Sequence, residues 1–216
     1  MSPSEPTRIK ICGITRLEDA AVVARAGADA LGLNFAAVSP RRVAVADAAE
    51  IAAAMAGRLL RVGIFVDPEP EDVHRVLDAV ALDVLQFHGR ETEAFCAGFG
   101  RPYLKAHRIA ARVDAEALRR DFPGACAHLL DAFVPGQAGG TGQRFDWGYW
   151  PRDSGLKLLL AGGLTPDNVA DAIRATRPFA VDVSGGVEAG RKGHKDPERI
   201  ERFVAAVRAA DREERH

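Results

Sequence analysis

The chain has 216 residues, of which 47% are hydrophobic, so it is long enough for one sizeable core and short for two ordinary domains. Its 29 lysine and arginine residues are balanced by 30 aspartate and glutamate residues, which gives no electrostatic support for a nucleic-acid or membrane surface. The three cysteines lack C-x-x-C spacing, which argues against a disulfide framework and against a zinc site. We therefore expect one cytoplasmic domain whose partner is a small molecule.

The N-terminal segment 1–7 is polar, contains two prolines and lacks the apolar centre of a secretory signal. No stretch of the sequence approaches the roughly 20 uninterrupted apolar residues of a membrane span. We expect residues 1–7 to be a flexible extension ahead of a single domain, which binds neither membrane nor nucleic acid.

Short β-like runs alternate with helix-like runs from Arg8 onward. The predicted strands cover 8–12, 28–35, 60–66, 82–86, 103–107, 128–131, 157–160 and 179–183. The predicted helices cover 16–26, 47–56, 73–80, 91–97, 113–120 and 166–176, with a last helix from Pro197. Between the sixth and seventh strands, the glycine-rich run 135–142 is expected to be a mobile loop.

This alternation predicts an α/β fold, a single (β/α)8 TIM barrel, because parallel strands need helical crossovers and eight of them close comfortably into a barrel. An open doubly wound sheet is the alternative. Such a sheet normally has fewer strands, and no dinucleotide-binding fingerprint follows the first strand of this chain.

Cys12 lies where the first strand ends, directly before a turn at Gly13. The residues Thr15 to Glu18 have the T-x-x-E form of a helix capping box. Because barrel active sites form at the C-terminal ends of the strands, Cys12 is either a reactive group or a small core residue. The other two cysteines, Cys96 and Cys126, are expected to be small buried hydrophobic residues.

Asp131 ends the sixth strand and is expected at the same mouth of the barrel as Cys12. A carboxylate in this place either caps a turn or takes part in catalysis. A thiol and a carboxyl group that face one small molecule can serve as base and acid. Without a nucleophile triad or a metal cluster, this pair suggests proton transfer and hence isomerisation.

Two glycine-rich turns follow the seventh and eighth strands, at Gly162-Gly163 and at Ser184-Gly185-Gly186. Both could be simple tight turns. In many barrels these two loops hold a phosphate with backbone N–H groups, so we expect phosphate binding. Arg41 and Arg42 follow the second strand, where a guanidinium either grips a carboxylate or is solvated. His88, after the fourth strand, is expected to be a hydrogen-bonded neighbour of the site.

The sequence resembles the phosphoribosylanthranilate isomerase family from Ile9 almost to its end, in the order and spacing of several short motifs. The motifs are Lys10-Ile-Cys-Gly-Ile-Thr15, Ser39-Pro-Arg41, Gly63-Ile-Phe-Val66, Gln86-Phe-His-Gly89, Leu130-Asp131, Gly139-Gly-Thr-Gly142, Phe145-Asp-Trp147, Ala161-Gly-Gly-Leu164, Val181-Asp-Val-Ser184 and Gly186-Val-Glu188. The resemblance implies an Amadori rearrangement of N-(5-phosphoribosyl)anthranilate to 1-(2-carboxyphenylamino)-1-deoxyribulose 5-phosphate, in tryptophan biosynthesis, without cofactor or metal. It also favours a monomer.

The same resemblance implies roles for individual residues. Asp131 would be the general acid that opens the sugar ring, and Cys12 would be the general base that takes the C2 proton. The positive ends of nearby helices are expected to draw Cys12 toward its thiolate form. The implied substrate-binding residues are Arg41 for the anthranilate carboxylate, Asp182 for the sugar, His88 beside them, and Gly162, Gly163, Ser184 and Gly185 for the phosphate. Relatives often have serine at the position of Gly185, so phosphate affinity is the property in question.

Two other classes of protein stay open. A different phosphosugar barrel enzyme, such as an epimerase, would need metal-ligating histidines at strand ends, and His88 and His107 do not make a convincing set. A catalytically silent barrel could serve as a binding module. The presence of both Cys12 and Asp131 speaks against this second alternative.

Overall fold

Eight parallel β-strands form a closed barrel in chain order in the computed structural model, which describes residues 5–109, 112–131 and 149–213. The strands are β1 (Arg8–Cys12), β2 (Ala30–Asn34), β3 (Leu60–Phe65), β4 (Val84–Phe87), β5 (Tyr103–Arg108), β6 (Ala127–Asp131), β7 (Leu158–Ala161) and β8 (Ala180–Val183). The α/β barrel fold is therefore confirmed. The doubly wound alternative is wrong, because β1 pairs with β8 and closes the sheet.

Helices follow the strands on the outside of the barrel. In the described part of the chain they are α1 (Leu17–Ala26), α2 (Val45–Ala54), α3 (Pro70–Ala79), α4 (Glu93–Ala97), α5 (Ala115–Asp121), α6 (Val169–Thr176) and α7 (Pro197–Glu213). One turn of 3₁₀ helix covers Gly185–Val187. The predicted loop 135–142 lies outside the described residues. No helix among the described residues is long and apolar enough to cross a membrane.

Small and medium-sized apolar side chains fill the inside of the barrel. This interior cluster comprises Ala30, Val62, Leu104, Ala106, Ala127, Leu129, Leu159, Ala161 and Ala180. Strand side chains alternate between the two faces of the sheet, so residues in the same register as these point inward. By this rule the inward positions also include Lys10, which pairs with Ala30, and Asp182, two residues after Ala180. A larger apolar cluster lies between the strands and the helices.

Cys12, Gln86, His88 and Asp131 also take inward positions by this alternation. Gln86 pairs with Leu104 of the interior cluster, and His88 lies two residues further along the chain. Asp131 lies two residues beyond Leu129. Because His88 and Asp131 come at or after the last residue of their strands, the C-terminal mouth of the barrel is polar while its middle is mostly apolar.

Three local expectations differ from the structure. The predicted capping box is wrong, because the Thr15 hydroxyl donates to the carbonyl of Gly193 at 2.7 Å and α1 begins only at Leu17. The fourth strand is predicted to begin at Leu82, but it begins at Val84. Leu82 is buried in the core just before the strand. Thr7, at the end of the expected extension, is buried, and its hydroxyl donates to Asp211 at 2.6 Å.

Candidate active site

Asp131 and His88 are brought together across β5. Oδ2 of Asp131 lies 3.4 Å from Nε2 of His88, and about one fifth of each side chain is exposed, 18% and 21% respectively. The strand between them carries the small Ala106 on its inner face, which leaves room for this approach. The structure therefore places Asp131 at the barrel mouth, beside the histidine that the sequence predicted as a hydrogen-bonded neighbour.

Cys12 ends β1 with its thiol packed against the backbone of β2. A Cβ atom at Gly32 would lie only 3.0 Å from Sγ of Cys12 and 2.9 Å from Cδ1 of Ile64, so this position requires glycine. Cys12 is half-buried, Cys96 is fully buried as predicted, and Cys126 is exposed. The expectation of burial for Cys126 is wrong, because it precedes β6 in a surface turn.

The electrostatic surroundings of Cys12 differ from the expectation. Burial raises the pKa of the Cys12 thiol, Lys10 and Lys195 act in the opposite direction, and Asp182 adds to the increase. Desolvation dominates this balance, since a thiolate loses more solvation than a thiol when it is buried. The expected shift of Cys12 toward its thiolate form is therefore wrong, and the positive charge near the sulfur comes from lysine side chains.

Asp182 and Lys10 form an ion pair inside the barrel. Nζ of Lys10 donates to Oδ1 of Asp182 at 2.9 Å, with 4% and 8% of the two side chains exposed. Burial alone would lower the pKa of Lys10, but the charges of Asp182 and Cys12 raise it above its ordinary value. The carboxylate predicted to face the sugar is thus already bound to a buried ammonium group.

Arg41 is held at the mouth by a two-point ion pair with Glu188. Its Nε and Nη2 atoms donate to Oε1 and Oε2 of Glu188 at 2.6 and 2.8 Å. Burial opposes the ionisation of Glu188, but hydrogen bonds from Arg41 and from the N–H of Gly193 lower its pKa to about 2. A guanidinium has five N–H donors, so the edge formed by Nη1 and Nη2 still has donors for a second carboxylate. Arg42, in contrast, is exposed.

Gly13 allows Arg41 to reach this position. Its φ of +73° lies in the left-handed region, and a Cβ atom there would come within 2.6 Å of Cδ of Arg41. The turn after β1 therefore serves two purposes: it ends the strand at Cys12 and lets the arginine side chain cross above it.

The two glycine-rich loops meet at the mouth. Gly162 and Gly163 have φ values of +93° and +65°. A Cβ atom at Gly186 would lie 1.9 Å from the carbonyl oxygen of Leu164, so the loops after β7 and β8 pack backbone against backbone. Gly185 is exposed. These loops are adjacent, as phosphate binding requires.

Ser184 has a hydroxyl group that is already engaged within the protein. Its Oγ donates to the carbonyl of Cys12 at 3.0 Å, and Nζ of Lys195 lies 3.4 Å from the same Oγ. Lys195 also donates to the carbonyl of Ser184 at 3.1 Å. What Ser184 can offer an anion is therefore its backbone N–H rather than its hydroxyl.

Sequence reasoning did not single out Lys10, Gln86, Glu188 and Lys195. Lys10 and Gln86 could have been found, because each is a polar residue at an inward position of a strand. Oε1 of Gln86 is buried and has no hydrogen-bond partner among the described residues. Lys195 has no such signal, since it comes from an irregular loop whose path only the tertiary structure shows.

A cavity of about 770 Å³ lies away from this mouth, between the start of α5 and the residues around Trp150. Its lining residues Arg112 and Trp150 lie close in sequence to segments 110–111 and 132–148, which are outside the described ranges. We therefore assign no site to this cavity. In the described part of the chain, no group of three or more His, Cys, Asp or Glu side chains is arranged to hold a metal ion.

Comparison with known proteins gives concordant results. The family model described as N-(5'phosphoribosyl)anthranilate (PRA) isomerase matches residues 9–206. The N-(5'-phosphoribosyl)anthranilate isomerase of Pseudomonas fluorescens is 52% identical over 204 residues, which are 94% of this chain and 97% of that protein.

Solved structures agree with this match. The crystal structure of phosphoribosyl anthranilate isomerase from Thermotoga maritima has a TM-score of 0.80 and 39% identity, and the match covers 94% of this chain and 99% of that one. Another isomerase structure contains reduced 1-(o-carboxyphenylamino)-1-deoxyribulose 5-phosphate, and it matches with a TM-score of 0.76 and 37% identity over the same shares of the two chains.

Proposed function

The chain belongs to the N-(5'-phosphoribosyl)anthranilate isomerase family, and we propose that Cys12 and Asp131 are the general base and the general acid of its reaction. The protein is an isomerase of tryptophan biosynthesis. It catalyses the Amadori rearrangement of N-(5-phosphoribosyl)anthranilate to 1-(2-carboxyphenylamino)-1-deoxyribulose 5-phosphate. The observation that carries the assignment of roles is the placement of a thiol and a carboxyl group at one polar mouth, on β1 and β6.

Asp131 acts first in the proposed mechanism. Its carboxyl group gives a proton to the ribose ring oxygen, the C1–O bond breaks, and the sugar opens to an iminium ion. His88, 3.4 Å from Oδ2, orients this carboxyl group toward the substrate. The partly exposed position at the end of β6 suits an acid that must exchange its proton with solvent after each turnover.

Cys12 acts second, as a carbon-acid base. It takes the proton from C2 of the iminium ion, and the resulting enolamine tautomerises to the ketone. The electron pair of the broken C2–H bond moves toward the iminium nitrogen, so no covalent bond to sulfur is formed. The thiolate needs nearby positive charge for this step. Lys10 and Lys195 supply it, and they partly offset the rise in the pKa of Cys12 that burial causes.

Arg41 is proposed to bind the anthranilate carboxylate. Glu188 occupies Nε and one N–H of Nη2, so the remaining edge of the guanidinium offers a two-point contact to the substrate. Because the ion pair with Glu188 fixes the plane of the guanidinium, this edge is oriented before the substrate binds.

The phosphate is proposed to bind between the loops after β7 and β8. Gly162, Gly163 and Gly185 carry no side chain that would screen their backbone N–H groups, and the hydroxyl of Ser184 donates to the carbonyl of Cys12. Asp182 accepts a hydrogen bond from Lys10 inside the barrel, and we propose that it faces the sugar from β8.

Two alternative functions are disfavoured by specific contacts. An epimerase would use histidines at the mouth as metal ligands, but His107 points outward, with its Nε2 3.1 Å from Nδ1 of His128 and its ring against Phe122. A silent binding barrel would not need the Asp131 and His88 pair and an inward cysteine at the same mouth.

Turnover of phosphoribosylanthranilate, followed by the loss of its fluorescence, tests the proposal. Cys12→Ser and Asp131→Asn should each reduce kcat by at least about 100-fold, with nearly unchanged circular dichroism and thermal unfolding. Arg42→Gln, which changes an exposed neighbour of Arg41, is the matched control and should retain activity. Wild-type activity in either catalytic variant would contradict the assigned roles. A covalent adduct between the substrate and Cys12 would also contradict them.

We also propose that the protein is a single-domain cytoplasmic monomer that binds a phosphosugar and no nucleic acid. Large exposed hydrophobic residues among the described ones are few and scattered, namely Val38, Leu60, Tyr149 and Phe179. Its role in amino-acid biosynthesis supports the cytoplasmic location. Light scattering coupled to size-exclusion chromatography should give the mass of one chain, and twice that mass would refute the monomer.

A further inference from the structure

Lys10 is a buried ammonium group in a part of the barrel where apolar residues would pack equally well. It lies on β1 two residues before Cys12 and on the same inward face, and 3% of its surface is exposed. Neighbouring inward positions carry Val62, Leu104 and Leu159. Replacing a buried ion pair by apolar residues is often neutral or stabilising, so packing does not account for the pair of Lys10 with Asp182.

We propose that Lys10 is a positioning residue that sustains the thiolate form of Cys12 when it acts as the base, and that Asp182 holds the ammonium group in place for this purpose. The inference rests on the proposed role of Cys12 and adds the residue on which that role depends. Lys10 does not touch the reacting carbon; it acts through the sulfur of Cys12.

The contacts of Lys10 and Asp182 support these two roles, in which Asp182 holds Lys10 and Lys10 acts on Cys12. Nζ of Lys10 lies 2.9 Å from Oδ1 of Asp182, and the two residues are direct register partners across the β1–β8 seam. Lys10 lies two residues before Cys12 on the same strand face, and its charge also interacts with the sulfur of Cys12. The ammonium group therefore faces both the carboxylate of Asp182 and a sulfur that becomes negative only when it loses its proton.

The other charged groups that face Cys12 come from two loops. Lys195, from the segment before α7, favours the thiolate, and Arg41, from the loop after β2, also interacts with the sulfur. Both are committed to Glu188 by direct ion pairs. Of these three cations, Lys10 is the one whose ion pair, with Asp182, does not involve Glu188.

A purely structural role for the ion pair makes a different prediction from an electrostatic one. If Lys10 and Asp182 merely clamp β1 to β8, removal of either partner should affect Cys12 in the same direction. If charge is decisive, removal of Lys10 should disfavour the thiolate, whereas removal of the Asp182 charge should favour it. In the second case, the thiolate itself becomes the counter-charge of Lys10.

The test is the pH dependence of Cys12 alkylation by iodoacetamide, read by peptide mass spectrometry so that Cys96 and Cys126 do not interfere. Lys10→Gln should raise the pH midpoint of alkylation by at least about one unit. At pH 8, this shift corresponds to a roughly tenfold lower rate of alkylation. Lys10→Arg should restore the midpoint. Asp182→Asn keeps an oxygen that can accept from Lys10 but removes the negative charge that raises the pKa of Cys12, so it should lower the midpoint. Shifts of the same sign in the Gln and Asn variants, or no shift in either, would overturn the proposal.

Lys105→Met is the matched control. It breaks another buried pair, with Glu91, in which Nζ lies 2.7 Å from Oε2 and 4% and 3% of the side chains are exposed. It should change thermal stability and leave the Cys12 midpoint unchanged. If Lys10→Gln does not fold, Asp182→Asn alone tests the proposal. In that case, a midpoint of Cys12 alkylation that is not lowered in Asp182→Asn refutes the proposal. Alkylation needs no substrate, so it reads the effect of Lys10 on the ionisation of Cys12 separately from turnover. An inactive wild-type protein with the expected midpoint shifts would refute the proposed role of Cys12 as base but not this effect of Lys10.

Discussion

Arg41 and Glu188 lie 147 residues apart in the chain and form a parallel two-point contact, with Nε to Oε1 at 2.6 Å and Nη2 to Oε2 at 2.8 Å. This contact ties the loop after β2 to the loop after β8, across the top of β1. It also fixes the plane of the guanidinium group. If Arg41 binds the substrate carboxylate as proposed, Glu188 acts on substrate recognition by holding the guanidinium in place.

Glu188→Gln should weaken binding of the substrate carboxylate. An amide has one acceptor oxygen and an NH₂ group that can only donate, so the parallel two-point contact is lost and Arg41 loses its fixed orientation. We expect KM for phosphoribosylanthranilate to rise about 10- to 100-fold, as for the loss of a charged hydrogen bond, with a smaller effect on kcat. Steady-state kinetics measure this, and an analogue without the carboxylate should have the same KM with both proteins.

Asp83→Asn is the matched control for that variant. Asp83 makes a similar two-point pair with Arg61, at 2.8 and 2.7 Å, at the opposite end of the barrel. Its replacement should lower stability without changing KM. A reduced kcat with unchanged KM in Glu188→Gln would contradict the positioning role of Glu188.

The pH dependence of stability should also depend on Glu188. Its pKa falls from an ordinary value of 4.5 to about 2 in the folded protein. A lowered carboxyl pKa stabilises the fold above the unfolded value, by on the order of 3 kcal/mol here, and this contribution disappears as the pH falls through the folded value. Stability should therefore be lost mainly between about pH 5 and pH 2.

Denaturant titrations of the wild type and of Glu188→Gln between pH 7 and pH 3 measure this contribution. The free energy of unfolding of the wild type should decrease by about 2 kcal/mol more than that of the variant over this range. Parallel curves for the two proteins would show that Glu188 ionises equally easily in the folded and unfolded states.

Gly185→Ser should strengthen phosphate binding. A Cβ atom at Gly185 would lie 3.4 Å from Nη2 of Arg41, so a serine side chain fits and adds a hydroxyl donor at the mouth. We expect inhibition by inorganic phosphate to become about 2- to 10-fold tighter, as for one net hydrogen bond. Gly186→Ser is the contrast, because its Cβ would clash with Leu164 and should destabilise the fold. Weaker phosphate inhibition in Gly185→Ser would refute the assignment of this loop.

The sequence was sufficient to predict the barrel, because the alternation of apolar runs and helical stripes is local information. It also placed Cys12 and Asp131 at strand ends, where their position follows from the fold. It could not show that Asp182 pairs with Lys10, or that Ser184 bonds to the backbone of Cys12, because these contacts join residues 172 positions apart. The direction of the Cys12 pKa shift was also missed, since it depends on how the packed barrel desolvates the thiol.

Gln86→Met should separate stability from substrate binding. Gln86 is 1% exposed, its Oε1 has no hydrogen-bond partner among the described residues, and it points into the barrel two residues before His88. A buried, unsatisfied carbonyl costs about 1 to 3 kcal/mol, so an apolar residue of similar length should raise the free energy of unfolding. If the amide serves to bind a sugar hydroxyl, KM should rise at the same time. Urea unfolding and steady-state kinetics give both quantities, and a Met variant that is less stable with unchanged KM would show that Gln86 is a packing residue.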